Sequence, residues 1–317
     1  MLKIENLHVS FGKTEVVRGI SFEVDKGEII SILGESGSGK SVTAMSILKL
    51  YDPKVASIMA NKMSFSGYDL LKLDEKALRP LRGKHISYIF QNPNDALSPN
   101  RTIRAQFKEL CKVHMMEYVE TQIVALMKEV GLVQESEIVL NMYPHQLSGG
   151  QAQRVTIAMA LLLKPEVLIA DEPTSSIDAS LTDVIVELLM RINKKLGITI
   201  LFITHDFDLA SKISQQILIL YGGLVMEYGK RDDIFENPLH PYTIELMKCV
   251  NSIHSQDDRL YTLAGNALDP SEFTKICPFA SRCPSMEPIC ITQIPELITQ
   301  DNRVIRCVKF RGGLENG

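Results

Sequence analysis

An apolar run broken only by one serine, Ile29-Ile30-Ser31-Ile32-Leu33, ends directly on the glycine-rich segment GESGSGKS at residues 34–41, where a helical pattern of Val42, Met45, Ile47 and Leu48 begins. Such a run suits a strand buried on both faces of a parallel sheet. A glycine loop between a buried strand and a helix start confines the fold to a narrow class. The loop amides and the unpaired donors of the helix N-terminus then face one point, which is a ready cradle for an anion. The segment satisfies G-x-x-x-x-G-K-[ST] in full. Gly34, Gly37 and Gly39 let the backbone of Glu35, Ser36 and Ser38 turn its N–H groups inward. Lys40 can neutralise β- and γ-phosphate oxygens, Ser41 can ligate Mg²⁺, and Val42 follows in the helix.

Three more buried runs follow, at residues 85–90, 167–170 and 198–204, and a helical stretch at 181–196 with Val184, Ile185, Leu188 and Leu189 lies between the last two. That is a β-α-β signature. Each run ends on a polar group: Gln91, then Asp171 with Glu172, then His205. Ligands of open parallel sheets bind outside the carboxyl ends of the strands, so these groups are expected to meet the glycine loop at one site. Asp171 is expected to hold the Mg²⁺ bound at Ser41, directly or one step removed. Glu172 is the candidate to orient and deprotonate an attacking water, His205 to contact the γ-phosphate, and Gln91 to touch the metal site. Singly, each has a plainer explanation, since strand-end acids often cap turns and single histidines are often structural.

Around this frame, Leu2/Ile4, Leu7/Val9/Phe11 and Ile20/Phe22/Val24 alternate, which predicts an antiparallel sheet near the start. Helical spacing replaces strand patterning over about 92–164, for instance in Ile123, Leu126, Met127 and Val130 before Gly131. Within it, LSGGQ at 147–151 opens a helix; Ser148, Gly149, Gly150 and Gln151 are either an N-cap with flexible glycines or a second anion nest. Beyond about residue 236 the chain loses periodicity, and four of its six cysteines, Cys277, Cys283, Cys290 and Cys307, crowd this last part. A segment with so little visible core is expected to be held by something else. Their C-x5-C-x6-C-x16-C spacing lacks the tight pairs of zinc knuckles and suits an iron–sulfur cube better, with zinc or unligated thiols as the alternatives. Cys111 and Cys249 are expected to be buried thiols on helices.

The composition, 317 residues with 45% apolar and 23% charged, is that of a globular chain of one large domain plus an appendage or of two domains. A net charge of -4 offers no positive field for nucleic acid. The start alternates instead of running basic then apolar, and no apolar run approaches the ~20 residues of a membrane helix, so neither export nor membrane spanning is expected.

Taken in order, GESGSGKS, Gln91, LSGGQ, ADEPT at 170–174, Ser176-Ile177-Asp178 and His205 resemble the motifs of an ABC-transporter ATPase subunit over about residues 1–235. The resemblance implies an α/β fold of the P-loop NTPase class, ABC ATPase type, with an antiparallel β subdomain, a helical subdomain at about 92–164 and a Cys-rich C-terminal extension at 236–317. It implies ATP sandwiched between two such domains, with Lys40, Ser41, Gln91 and Asp171 around ATP–Mg²⁺, Glu172 as general base, His205 as γ-phosphate sensor and residues 148–151 acting across the dimer. Phe11 stands where the family sets an aromatic ring against adenine. Asn237-Pro238-Leu239-His240-Pro241-Tyr242-Thr243 and the cysteine stretch resemble the C-terminal region of oligopeptide/dipeptide-importer ATPases. That subfamily implies a peripheral subunit on the cytoplasmic face of the membrane. Its implied partners are a second ATPase subunit, a paralogue forming a heterodimer, two transmembrane permeases and, indirectly, an extracytoplasmic solute-binding protein. A 4Fe–4S cluster or Zn²⁺ at the cysteines, a nickel, metallophore or other small-solute importer, and a soluble non-transport ABC protein are the alternatives to be weighed. A phosphotransferase outside the family would leave LSGGQ unexplained.

Overall fold

Two compact units make up the chain, one of residues 1–25, 29–72 and 204–317 and the other of 26–28 and 73–203. The computed structural model describes residues 1–175, 179–254, 261–273 and 275–310, so Ser176, Ile177 and Asp178 lie outside the described residues. Among the described residues the strands are, in chain order, β1 (Leu2–Phe11), β2 (Thr14–Val24), β3 (Ile29–Leu33), β4 (Ala56–Met59), β5 (Lys62–Phe65), β6 (Tyr68–Asp69), β7 (Ile86–Ile89), β8 (Val167–Asp171), β9 (Thr199–Ile203), β10 (Gln216–Tyr221), β11 (Leu224–Lys230), β12 (Ile298–Gln300) and β13 (Arg303–Ile305).

In the first unit β1 lies between β2 and β5, with β6 beyond β5 and β4 also paired to β1, all antiparallel. The apolar alternation of β1 changes parity between Ile4 and Leu7, yet Leu2, Ile4, Leu7 and Val9 are all buried. A register irregularity between Ile4 and Leu7, with Asn6 at φ 54°, absorbs the extra residue and keeps one face inward.

The unit's other sheet has the order β12-β13-β11-β10-β3. β3 is fully buried and runs parallel to β10, with Ile32 beside Leu218 and Leu33 beside Ile219. β10 and β11 form a hairpin turned by Gly222 and Gly223 at φ 55° and 74°. Residues 277–308 do not hang off this sheet. Cys277, Phe279, Ala280, Cys290 and Val308 are buried in the same apolar cluster as Tyr221, Leu224, Met226 and Tyr242. The segment is thus held by a core it shares with the sheet: sparse apolar residues dispersed among prolines carry no period, but they reach a ready-made apolar surface.

The second unit holds the parallel strands β7, β8 and β9 in that spatial order, β8 in the middle. The helix Ala179–Leu196 joins β8 to β9, as the β-α-β pattern predicts. Its buried side is Ile185, Val186, Leu188, Leu189 and Ile192, whereas Val184 is 44% exposed. Between β7 and β8 the longer helices are Ile103–Val113, Glu120–Glu129 and Gly149–Leu162. Cys111 is buried on the first of them, while Cys249, on the helix Pro241–His254 of the first unit, is half-buried.

Candidate nucleotide site

In the first unit the glycine segment leaves the end of β3 and enters the helix Lys40–Ile47. Gly34 has φ 152°, and a Cβ there would stand 2.2 Å from the Leu220 carbonyl oxygen and 2.7 Å from Ser38 Oγ. Gly39, at φ 97°, is the residue before the helix, and no side chain caps the helix start. Only glycine fits both places, and the amides are thereby turned into the loop. Lys40 is buried at 6% exposure, its Nζ donating to the carbonyls of Gly34 and Glu35 at 2.7 and 2.9 Å. Ser38 Oγ is buried and has no hydrogen-bond partner among the described residues. A buried ammonium held by loop carbonyls, beside an orphaned hydroxyl and an uncapped helix start, suits an anionic phosphate group, which would satisfy all three. Ser41 and Val42 are half-buried in the first turn of the helix, and Ser36 and Gly37 are exposed at the loop tip.

Two more expected residues belong to this unit. Phe11, the last residue of β1, is half-buried with its ring edge-on to Tyr51 at 5.0 Å. His205 is exposed, directly after Thr204, whose N–H donates to the carbonyl of Ile32 at 3.3 Å. That bond sets His205 beside the carboxyl end of β3.

The second unit brings the remaining polar strand ends together. Asp171, the buried last residue of β8, accepts a hydrogen bond from Tyr88 Oη at 2.7 Å. Glu172 turns the other way and accepts from Gln91 Nε2 at 2.8 Å. The reversal has a backbone cause: Glu172 sits at φ 43°, in the left-handed region, while its N–H still donates to the Ile203 carbonyl at 2.9 Å. A non-glycine residue there carries strain of order 1 kcal/mol, the kind retained where a side chain must be aimed. Tyr88 is a site residue that strand alternation does not reveal; the available signal is a hydroxyl inside a buried apolar run, which has to find a polar partner. Tyr88 also lines a cavity of about 480 Å³ with Ser98, Gln106, Thr156, Met159 and Leu163.

Ser148 is the N-cap of the helix Gly149–Leu162. Its Oγ accepts from the Gln151 N–H, the Gln151 side chain accepts from the Ser148 N–H, and Gln151 Nε2 donates to Glu135 at 2.6 Å. The capping reading of this motif is therefore present in the structure. Ser148 and Gly149 are exposed and Gly150 half-buried.

Cys277, Cys290 and Cys307 are buried and Cys283 half-buried. The Cys277 N–H donates to the Cys290 carbonyl at 3.0 Å, and the four thiols lie within electrostatic reach of one another. Burial pushes Cys277 up to about 11 and raises Cys283 and Cys307, with the neighbouring thiols adding to the rise. Among the described residues no three His, Cys, Asp or Glu side chains are arranged to hold a metal ion. The iron–sulfur or zinc site expected from the spacing is therefore not supported.

Among the described residues no helix is long and apolar enough to cross a membrane. The profile of the ABC transporter family matches residues 17–175, and that of the oligopeptide/dipeptide transporter C-terminal region matches residues 226–290. The chain is 38% identical over 315 residues to a dipeptide transport ATP-binding protein of Bacillus subtilis (strain 168), covering 97% of this chain and 94% of that one. It is 36% identical over 315 residues to a dipeptide transport ATP-binding protein of Escherichia coli (strain K12), with 97% and 96% covered. A solved dimeric ATP-binding cassette in a post-hydrolysis state, bound to ADP and Pi, superposes with a TM-score of 0.64 at 28% identity, covering 73% of this chain and 99% of that one. A glycine loop closed on its own lysine, an acid pair split between a tyrosine and a glutamine, and matches that span nearly the whole chain lead to one assignment: this protein belongs to the ATP-binding subunits of ABC transporters that carry the oligopeptide/dipeptide C-terminal region.

Proposed function

We propose that this chain is the ATP-hydrolysing subunit of an importer of di- and oligopeptides, and that its phosphate loop and polar strand ends act on one ATP. The observation that carries the reading is the buried Lys40 ammonium, held by loop carbonyls at 2.7 and 2.9 Å beside the partnerless Ser38 hydroxyl. The substrate class is supported by the relatives, which are dipeptide and oligopeptide transport ATP-binding proteins.

In this reading residues 34–42 bind the triphosphate, with Lys40 exchanging its carbonyl partners for β- and γ-phosphate oxygens. Ser41, Gln91 and Asp171 would hold Mg²⁺, whose charge screens those oxygens as the bond to the γ-phosphorus breaks. Glu172 takes the proton of the attacking water. Its bond to Gln91 parks it until the γ-phosphate arrives, so that Gln91 reports occupancy to the proline-bearing segment after it. His205 contacts the γ-phosphate, and Phe11 packs on the adenine. Ser148 keeps its capping bond as acceptor and still has a hydroxyl proton to donate to the γ-phosphate of a second ATPase subunit, with Gly149, Gly150 and Gln151 around it. That second subunit is a paralogue, so the pair is a heterodimer. Two permeases dock from the cytoplasmic side of the membrane, and a solute-binding protein delivers peptide to them. The cavity beside Tyr88 is assigned to the permease, because Tyr88 joins its wall to Asp171. The ATPase domain runs over about 1–235, with its helical subdomain at about 92–164 and the C-terminal extension at 236–317. No step is assigned to the four cysteines.

The test is Glu172→Gln in the full chain. It should retain ATP and lose turnover by at least about a hundredfold, the usual worth of a general base. Parental turnover in that variant overturns the assignment.

A further inference from the structure

Glu35 is the only carboxylate in the phosphate loop, where negative charge opposes the ligand. Each of its polar groups is held. Its N–H donates to the Tyr242 hydroxyl at 3.2 Å, its carbonyl accepts from Lys40 Nζ at 2.9 Å and from the Ser38 N–H at 3.2 Å, and its carboxylate accepts from Arg282 Nη1 at 2.8 Å. Arg282 comes from the cysteine-bearing segment, 247 residues away, and its side chain is 6% exposed. The same Nη1 also donates to the Tyr221 hydroxyl at 3.0 Å, Nε donates to the Ala264 carbonyl at 2.8 Å, and the guanidinium lies 5.7 Å from the centre of the Tyr221 ring. Tyr221, Tyr242 and Phe279 pack against one another, tilted or edge-on, with ring centroids 4.6 to 5.6 Å apart, so both anchors of Glu35 stand on one aromatic base.

We propose that Arg282 is a positioning residue for nucleotide binding: it neutralises Glu35 and turns its carboxylate away from Lys40, so the C-terminal segment takes part in setting the affinity of the phosphate loop. Without Arg282 the Glu35 carboxylate is left uncompensated next to Lys40, the group that the triphosphate needs. It then competes for the ammonium and repels the ligand. A buried, multiply bonded guanidinium is suited to this task because it stays charged at every working pH and its planar fork fixes direction as well as charge.

The proposal rests on reading residues 34–41 as the nucleotide cradle, and Lys40→Ala tests that reading separately, since it must abolish binding of ATP–Mg²⁺ to the full chain. Arg282→Gln keeps the bulk over Tyr221 and removes the charge; its dissociation constant for ATP–Mg²⁺ should rise about tenfold at low salt, with the loss shrinking as ionic strength rises. Arg282→Lys keeps the charge but not the planar fork, and its dissociation constant should lie between those of the parent and of Arg282→Gln. The decisive variant is Arg282→Gln combined with Glu35→Gln. Removing the uncompensated carboxylate should restore affinity to within about threefold of the parent, a rescue that a merely structural arginine would not show. Parental affinity in Arg282→Gln, or a double variant no better than the single one, overturns the proposal while leaving the nucleotide reading to Lys40→Ala.

Discussion

His240 is fully buried between the phosphate-loop anchor Tyr242 and Phe279, its ring 6.2 Å from the phenylalanine ring. Its Nδ1 accepts the Tyr242 N–H at 3.0 Å, its other nitrogen bonds the Arg306 backbone, and burial lowers its pKa from 6.5 to about 3, with the Arg306 charge adding to the fall. The neutral ring is thus the folded form. A histidine depressed in this way contributes its full stability above the unfolded value near 6.5 and loses it as pH falls, because only the unfolded chain takes up the proton. The loss approaches about 1.4 kcal/mol per pH unit below 6.5 and ends near the folded value. Between pH 7 and pH 5 it amounts to roughly 2 kcal/mol. Burial pushes the nearby Glu227 carboxyl upward, but its bonds from the His240 and Leu239 N–H groups are to backbone and survive replacement of the imidazole. The assay is urea unfolding of the parent and of His240→Gln at both pH values. The variant is expected to be less stable at pH 7, and the parent should lose roughly 2 kcal/mol more than the variant on going to pH 5. Parallel losses in the two proteins would refute a buried neutral imidazole. Because the folded imidazole stays neutral over this interval, the Tyr242 hydroxyl keeps the Glu35 N–H, and His240 should not alter the nucleotide affinity of the folded parent between pH 7 and pH 5.

Two further outcomes follow from the site. Gly34→Ala drives a methyl group into the Leu220 carbonyl in a backbone region that alanine avoids, so it should destabilise the first unit by about 3 kcal/mol and abolish ATP binding, read by thermal unfolding and by equilibrium nucleotide titration. Tyr88→Phe deprives the buried Asp171 carboxylate of a hydroxyl at 2.7 Å and should cost about 1.5–3 kcal/mol in urea unfolding of the apo chain, with the loss reduced by ATP–Mg²⁺ if Asp171 then faces the metal.

The phosphate loop was legible in sequence because its chemistry is local: a buried run, glycines at the turns and a lysine at the helix start follow one another without a gap, and the backbone repeats that order. The parallel strands were legible for the same reason, each being a short apolar run that ends on a polar group. β10, from Gln216 to Tyr221, carries the hairpin signal of an apolar run before Gly222-Gly223, but no ligand-bearing residue marks its end. The direction of a side chain is less accessible. Nothing in the order Ala170-Asp171-Glu172 says that Glu172 adopts a left-handed backbone and leaves Asp171 to Tyr88.

The surroundings of the cysteine segment are not legible in its spacing. Cys277 and Cys290 are buried in one apolar cluster with Phe279, Tyr221 and Tyr242, and Cys283 packs against it, a placement that depends on strands far away in the sequence. The same cluster fixes Arg282, whose partner Glu35 lies at the far end of the sequence. A lone arginine among prolines and cysteines has no periodicity to betray it. Its role follows only from the energetic rule that a guanidinium at 6% exposure has to meet an anion, and the anion it meets is the one carboxylate that the phosphate loop cannot leave unpaired.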